Sequence, residues 1–189
     1  MRTPDEKPDR HARILQAATE LLGREGISGV SMRAVAREAG VSLGLVNYHY
    51  SDKASLLRAA LLRVEEQDLA LLDVDAGASP EERLRTALRR VAEPAYLTTD
   101  YLSLRLQLWA LARADAEFEA INTEAQGKYR ERLADLIAAA RPDLPRPECR
   151  RRAADIDVLQ NGIWLTVLLG LDRPSVRRSL ARCEEIALN

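Results

Sequence analysis

The sequence predicts an all-α protein of about nine helices, and three observations carry that expectation. Hydrophobic residues make up 47% of the 189 and charged residues 30%, but aromatic residues only 4%. Ala, Leu, Arg and Glu dominate, so strong helix formers are plentiful while the β-branched and aromatic residues that strands favour are few. Apolar residues also recur at helical spacing through most of the chain, interrupted by Gly, Pro and Ser signals that stop and restart helices.

The elements follow in order. After a polar, proline-containing start, Ile14, Leu15, Ala18, Leu21 and Leu22 make one helical face, with Gly26 as its stop and Gly23 a weak spot within it. Ser31 caps a short second helix through Glu38, "AGVS" turns the chain, and Ser42 caps a short third helix. Asp52 caps a fourth that runs to about Leu72. The small, acidic stretch "DVDAGASP" is the clearest boundary, and "SPEE" behind it reads as a capping box. There Ser79 is the N-cap, Pro80 takes the first helical position and Glu82 reaches back, opening a fifth helix to about Glu93. A sixth helix is predicted over 98–115, a seventh over 116–140, an eighth over 148–170 after the "RPDLPRP" break, and a ninth over 173–188.

Two of these helices are unusual. The sixth carries two apolar stripes, Tyr101, Leu104, Leu108 and Leu111 on one side and Leu102, Leu106 and Trp109 on another. Such a helix is central or borders a cavity. The eighth is apolar nearly all round from Ile163 to Leu171, so one side packs inward and the other asks for cover by a second subunit.

Charge and cysteine usage exclude several classes. The formal net charge is −1, and residues 1–55 hold eight basic against seven acidic side chains, so bulk charge holds no nucleic acid. Cys149 and Cys183 form no metal-type spacing and no disulfide framework; neither a metal nor a cofactor is expected. The N-terminus lacks the apolar core of a signal peptide, and the longest apolar run, 163–171, is too short to span a bilayer. A soluble cytoplasmic protein with no membrane association is the expectation. Two distant His, no metal-ligand spacing and no glycine-rich phosphate loop argue against an enzyme.

In "AVAREAGVSLGLV", Ala36, Gly40 and Val46 stand at the spacing of a helix-turn-helix: a small residue at the helix crossing, a left-handed turn, and a plug. The bare spacing fits an ordinary αα-hairpin equally well. Its surroundings are more specific. The helix ending in "REG", the "SMRAVAREAGVS" block and "YHYSDK" leading into "LL" make residues 14–57 resemble the N-terminal domain of the TetR family of bacterial regulators. Within it, "LQNGIWLTVLLG" is similar to a helix of the BetI-type subgroup, which includes choline-responsive repressors.

The resemblance implies a helix-turn-helix DNA-binding domain over 1–55 and a helical ligand-binding and dimerisation domain over 56–189. It places the base-reading helix at about Ser42 to Tyr48. Val46 and Tyr50 pack, while Ser42, Leu43, Gly44, Leu45, Asn47, Tyr48 and His49 are free to face DNA. Leu43 or Leu45 would touch thymine methyls, unless partly buried, and Asn47 would pair with adenine. Phosphate contacts would come from Ser31, Arg33, Tyr48, His49 and Lys53. His11 is read as solvated, and Arg2, Lys7 and Arg10 as part of a loose tail.

For the second half the resemblance implies a dimer that binds a small molecule and acts as a repressor of a palindromic operator; a same-fold activator, or a regulator working through protein contacts, is the alternative. Tyr101, Leu104, Leu108, Trp109, Phe118, Asn122, Asp157, Gln160, Asn161 and Trp164 are candidate pocket residues, the aromatics among them equally readable as core. Tyr96 and Gln107 fall beside them. Asp157 near aromatics would suit a quaternary ammonium. Ile163, Val167, Leu168 and Leu171, with Val176 and Leu180, would build a four-helix dimer interface.

Overall fold

A computed structural model describes residues 10–75, 77–170 and 173–189. Among them lie nine α-helices and no strand: α1 (Arg10–Gly29), α2 (Met32–Ala39), α3 (Leu43–His49), α4 (Lys53–Ala70), α5 (Pro80–Arg90), α6 (Thr99–Ala114), α7 (Ala116–Ala140), α8 (Arg146–Leu168) and α9 (Arg173–Leu188), with a single 3₁₀ turn at Pro94–Tyr96. The arms, Arg2 and Lys7, and the interface candidate Leu171 lie outside the described residues.

Local chemistry sets the helix ends. α1 breaks where its stop signal stands, at Gly26 (φ 70°), and helical hydrogen bonding resumes for one short turn beyond it. Ser31 and Ser42 accept from the backbone N–H groups of Ala34 and Leu45, capping α2 and α3. Gly40 takes the left-handed conformation (φ 62°) that closes α2, and its N–H returns to the carbonyls of Ala36 and Arg37. α4 opens with a reciprocal box between Asp52 and Ser55, and α5 with the one expected between Ser79 and Glu82. α8 starts two residues earlier than expected, with Pro147 in its first turn, where a missing N–H costs nothing.

One core joins α1–α4 to the first turns of the second half. Ile14, Leu21, Leu22, Val35, Val46, Leu56 and Leu61 pack with Leu104, Leu108 and Phe118 from α6 and α7. A second core gathers Leu84, Leu88, Leu133, Ile137, Ile156 and Cys183 from α5, α7, α8 and α9. Between them sit Leu71, Val91, Leu102 and Trp164. The boundary expected at residue 55 therefore falls inside α4, which runs unbroken from one core to the other.

Three expectations are corrected here. Leu104, Leu108 and Phe118 are buried in the core that α6 and α7 share with α1–α4, away from the wall of the cavity described below. Gly23 is no mere weak spot: a Cβ there would stand 2.6 Å from the Asp100 carbonyl oxygen, so only glycine lets α1 approach the start of α6 so closely. Ile163 and Val176, at 2% and 6% exposure, face the protomer's own interior and are not available to a partner.

Candidate nucleic-acid interface and ligand cavity

α3 stands on the surface with Val46 as its only fully buried side chain. Ser42, Leu43, Gly44, Asn47 and His49 are exposed, and Tyr48 is 81% exposed. A large aromatic left in water on a seven-residue helix gains nothing for the fold, which leaves it free for contact. Ser31, Met32 and Arg33 from α2 meet Leu43 and Asn47 in one shallow groove. Arg33 makes no ion pair or hydrogen bond among the described residues, so its guanidinium is uncommitted. Leu45 is different: it is half-buried against the core, which takes it out of easy reach of a base.

Braces behind this face were not evident in the sequence. The Arg13 guanidinium donates to the Ala39 carbonyl (2.5 Å) and more weakly to that of Gly40 (3.5 Å), holding the α2–α3 turn against α1. The Lys53 ammonium donates to the Ile27 carbonyl (2.5 Å), tying the start of α4 to the end of α1 while keeping two N–H groups unspent. His11 is not solvated: it is half-buried, its Nε2 lies 2.8 Å from the Tyr50 hydroxyl, and its ring centroid is 5.1 Å from that of His49. Burial raises the Tyr50 pKa, which keeps that hydroxyl protonated. The far end of α3 is thereby pinned to the start of α1.

The second feature is a narrow cavity at the middle of the helical half, of about 20 Å³, room for about one water molecule as the side chains stand. Glu65 and Asp68 reach it from α4, Arg105 from α6, Gln126 and Tyr129 from α7, and Asp157, Gln160, Asn161 and Trp164 from α8. Asp68 is its electrostatic centre. It pairs with the buried Arg105 guanidinium and accepts from the Tyr101 hydroxyl at 2.6 Å. Burial opposes the charge on Arg105, yet the carboxylate of Asp68 raises its pKa on balance. Arg105 also lies 4.0 Å over the Trp164 ring and 5.2 Å from that of Trp109, and the Trp164 indole donates to the Val91 carbonyl at 2.9 Å. On the α7–α8 side, Tyr129 donates to Gln160 Oε1 (2.8 Å), and Asp157 accepts from Arg130 (2.6 Å) and Asn161 (3.0 Å).

Among the residues lining the cavity, two buried donors are left without acceptors, Arg105 Nε and Gln160 Nε2. An unpaired buried donor costs about 1–3 kcal/mol, so the cavity asks for an oxygen atom. Glu65 has the complementary deficit. Burial first, then Asp68 and Asp157 against the pull of Arg105, pushes its carboxyl up to about 7.

Of the expected pocket residues, Asp157, Gln160, Asn161 and Trp164 converge on the cavity. Tyr101 joins through Asp68, the Trp109 ring lies 5.2 Å from the Arg105 guanidinium, and Asn122 accepts a long bond (3.4 Å) from Gln126. Gln107 lies beside Gly26, away from the cavity, and Tyr96 stands edge-on to Tyr101. Asp157 is committed to Arg130 and Asn161 and is not an open counter-charge. Glu65, Asp68, Arg105, Gln126 and Tyr129 escaped the sequence reading. A charged residue at helical spacing resembles a solvated face until its partner is known.

The outer stripe of α8 carries Val158 (66% exposed), Leu165 (40%) and Leu169 (76%). Gly162 and Thr166 continue it beside Ser175, Arg178 and Ser179 of α9. Val167, Leu168 and Leu180 lie half-buried at its inner edge, against the Trp164 cluster. Among the described residues no group of His, Cys, Asp or Glu is placed to hold a metal ion, and no helix is long and apolar enough to cross a membrane.

Comparison with known proteins covers both halves. Residues 14–60 match the bacterial regulatory proteins of the tetR family, and residues 80–187 match the C-terminal part of the BetI-type transcriptional repressors. The HTH-type transcriptional regulator BetI of Escherichia coli is 26% identical over 180 residues, spanning 92% of this chain and 90% of that protein. The BetI of Burkholderia ambifaria is 26% identical over 159 residues, with 82% and 80% covered. Among solved structures, a TetR-family regulator from a Rhodococcus species superposes with a TM-score of 0.79 at 23% identity, covering 95% of this chain and 98% of that one. A transcriptional regulator from Saccharomonospora viridis, solved in complex with choline, gives 0.73 at 23% identity with 93% of each chain covered.

Proposed function

Because the chain belongs to the TetR family of DNA-binding transcriptional regulators, with a BetI-type C-terminal half, we propose that it is a dimeric repressor released from a palindromic operator by a small organic cation. It is a regulator and not an enzyme. DNA is read by Asn47, Tyr48, Leu43 and Arg33, with Ser31, Ser42, Gly44, His49 and Lys53 on the phosphates or near them and Leu45 as packing. The bacterial cytoplasm is where such a protein meets its operator.

One observation carries the reading of effector control. The cavity wall includes Glu65 and Asp68 of α4, and α4 begins at Lys53, which is tied to α1 at the edge of the DNA-reading face. A ligand that changes how α4 lies in the cavity changes where that face points. To shift the equilibrium, the ligand must bind the DNA-incompetent arrangement more tightly. Asp68 and Asp157 are paired with Arg105 and Arg130, which leaves Glu65 as the carboxyl group at the cavity wall for a positively charged effector to pair with, and the choline-bound Saccharomonospora neighbour is consistent with that sign. Cover for Val158, Leu165 and Leu169 comes from the same stripe of a second copy, giving a two-fold pair whose heads meet half-sites about 34 Å apart.

Selection of bound sequences from random duplex DNA tests this directly. We expect one palindrome, with binding lost in Asn47→Ala and Tyr48→Ala, and release of that palindrome by millimolar choline in an anisotropy assay. Absence of enrichment above background at moderate salt overturns the operator reading; retention of the operator in choline and in other small cations overturns effector control by a cation.

A further inference from the structure

We propose that the effector site extends out of the cavity into the groove between α4 and α7, and that it takes an amphiphilic organic cation, its head at Glu65 and its alkyl chain along Leu62, Leu69 and Ile121. The proposal rests on the regulator reading above and narrows its ligand class. Cavity and groove share two wall residues, Glu65 and Ala125, so one carboxyl group borders both spaces. The groove holds about 160 Å³ between Leu62, Leu69, Ile121 and the acidic residues at its edge.

Charge and polarity change along this path in a way that suits such a molecule. Glu66 and Glu124 stand at the groove, and its one cation, Lys128, is already paired with Glu124 at 2.6 Å. Glu65 has neither an ion pair nor a hydrogen bond among the described residues, and burial holds its proton on to about 7. A cation placed beside it supplies the missing partner and releases that proton. Deeper in, the unpaired donors Arg105 Nε and Gln160 Nε2, the latter on a side chain only 1% exposed, call for an oxygen on the head group. The cavity itself has no room for a chain, because Arg105 covers the face of Trp164. The chain must therefore run outward, over Leu62, which is 49% exposed.

Calorimetric titration of the full-length protein separates this from a choline site. The probes are choline, octyl(2-hydroxyethyl)dimethylammonium below its micelle concentration, and octan-1-ol. The octyl cation is expected to bind at least tenfold more tightly than choline, since each buried methylene contributes about 0.8 kcal/mol. Octanol should not bind measurably. Leu62→Ser should lower the ratio of the two cation affinities several-fold, with Leu69 and Ile121 still in place, and Glu65→Gln should weaken both cations at least tenfold. Equal affinity for octyl cation and choline, octanol binding as tightly as the cation, or an unchanged ratio in Leu62→Ser each overturns the proposal. If Glu65→Gln does not fold, Leu62→Ser decides alone, because an exposed leucine is dispensable to the core. Absence of binding by either cation also refutes it, while operator selection continues to judge the regulator reading separately.

Discussion

Removing Asp68 should destabilise the C-terminal half of this protein more than any surface change. The carboxylate pairs with Arg105 and accepts from Tyr101, and both it and Arg105 are buried. Asp68→Ala leaves a guanidinium without its anion where water hardly reaches, in addition to the Nε that already lacks an acceptor. Breaking a buried pair from one side costs about 3–5 kcal/mol, and the orphaned Tyr101 hydroxyl adds on the order of 1 kcal/mol. Glu65, one turn earlier on α4 and within the field of Arg105, offsets part of this by ionising. A net loss of about 4 kcal/mol, or roughly 8–16 °C in Tm for a chain of this size, is the expectation. Urea unfolding followed by far-ultraviolet circular dichroism, at fixed protein concentration, measures it. The paired replacement Asp68→Leu with Arg105→Met should recover most of the loss, because it removes both charges together. A single variant that loses less than about 1 kcal/mol, or a double variant less stable than the single, would refute the reasoning.

Three further outcomes follow from the same geometry. Gly23→Ala should destabilise by about 1–3 kcal/mol through the clash with the Asp100 carbonyl, whereas helix propensity alone predicts a gain of up to about 1 kcal/mol; the sign of the change in urea midpoint decides. Glu65 has a folded-state pKa of about 7 against 4.5 unperturbed, so its protonated form favours folding below 4.5 and that contribution is lost as pH rises through 7. Glu65→Gln should therefore raise stability at pH 8, by at most about 3 kcal/mol, and scarcely at pH 5; equal gains at both would contradict the assignment. Leu165→Arg should convert a dimer to monomer in sedimentation equilibrium without lowering helicity, and a dimer that persists would place the interface elsewhere.

How far the sequence revealed this depended on the range of each interaction. Helix ends were legible because their causes lie within a few residues: Ser31 with Ala34, Ser42 with Leu45, Asp52 with Ser55, Ser79 with Glu82. Asp157, Gln160, Asn161 and Trp164 were legible as cavity candidates because polar groups stand beside the apolar stripe and an aromatic of the same helix. Asp68 and Arg105 were not, since they are 37 residues apart and each looks solvated alone. His11 and Tyr50, 39 residues apart, escaped for the same reason. Ile163 and Leu165 show a different limit. On a helix apolar all round, periodicity does not reveal which side faces inward; packing against Trp164 and the α9 core settled that.

α4 can finally be considered as a mechanical arm. Its boxed first turn at Asp52 and Ser55 resists fraying, and the helix runs unbroken from Lys53 to Ala70. Lys53 and Asp68 are about 22 Å apart along the axis at 1.5 Å per residue, and a tilt of about 5° pivoting near Asp68 swings the head end by about 2 Å. In a two-fold pair the swings oppose one another, so the span between heads changes by about twice that. On the proposed dimer and effector mechanism, a motion no larger than the width of a hydrogen bond at the cavity would be geared up to the scale on which helices in adjacent major grooves lose their register.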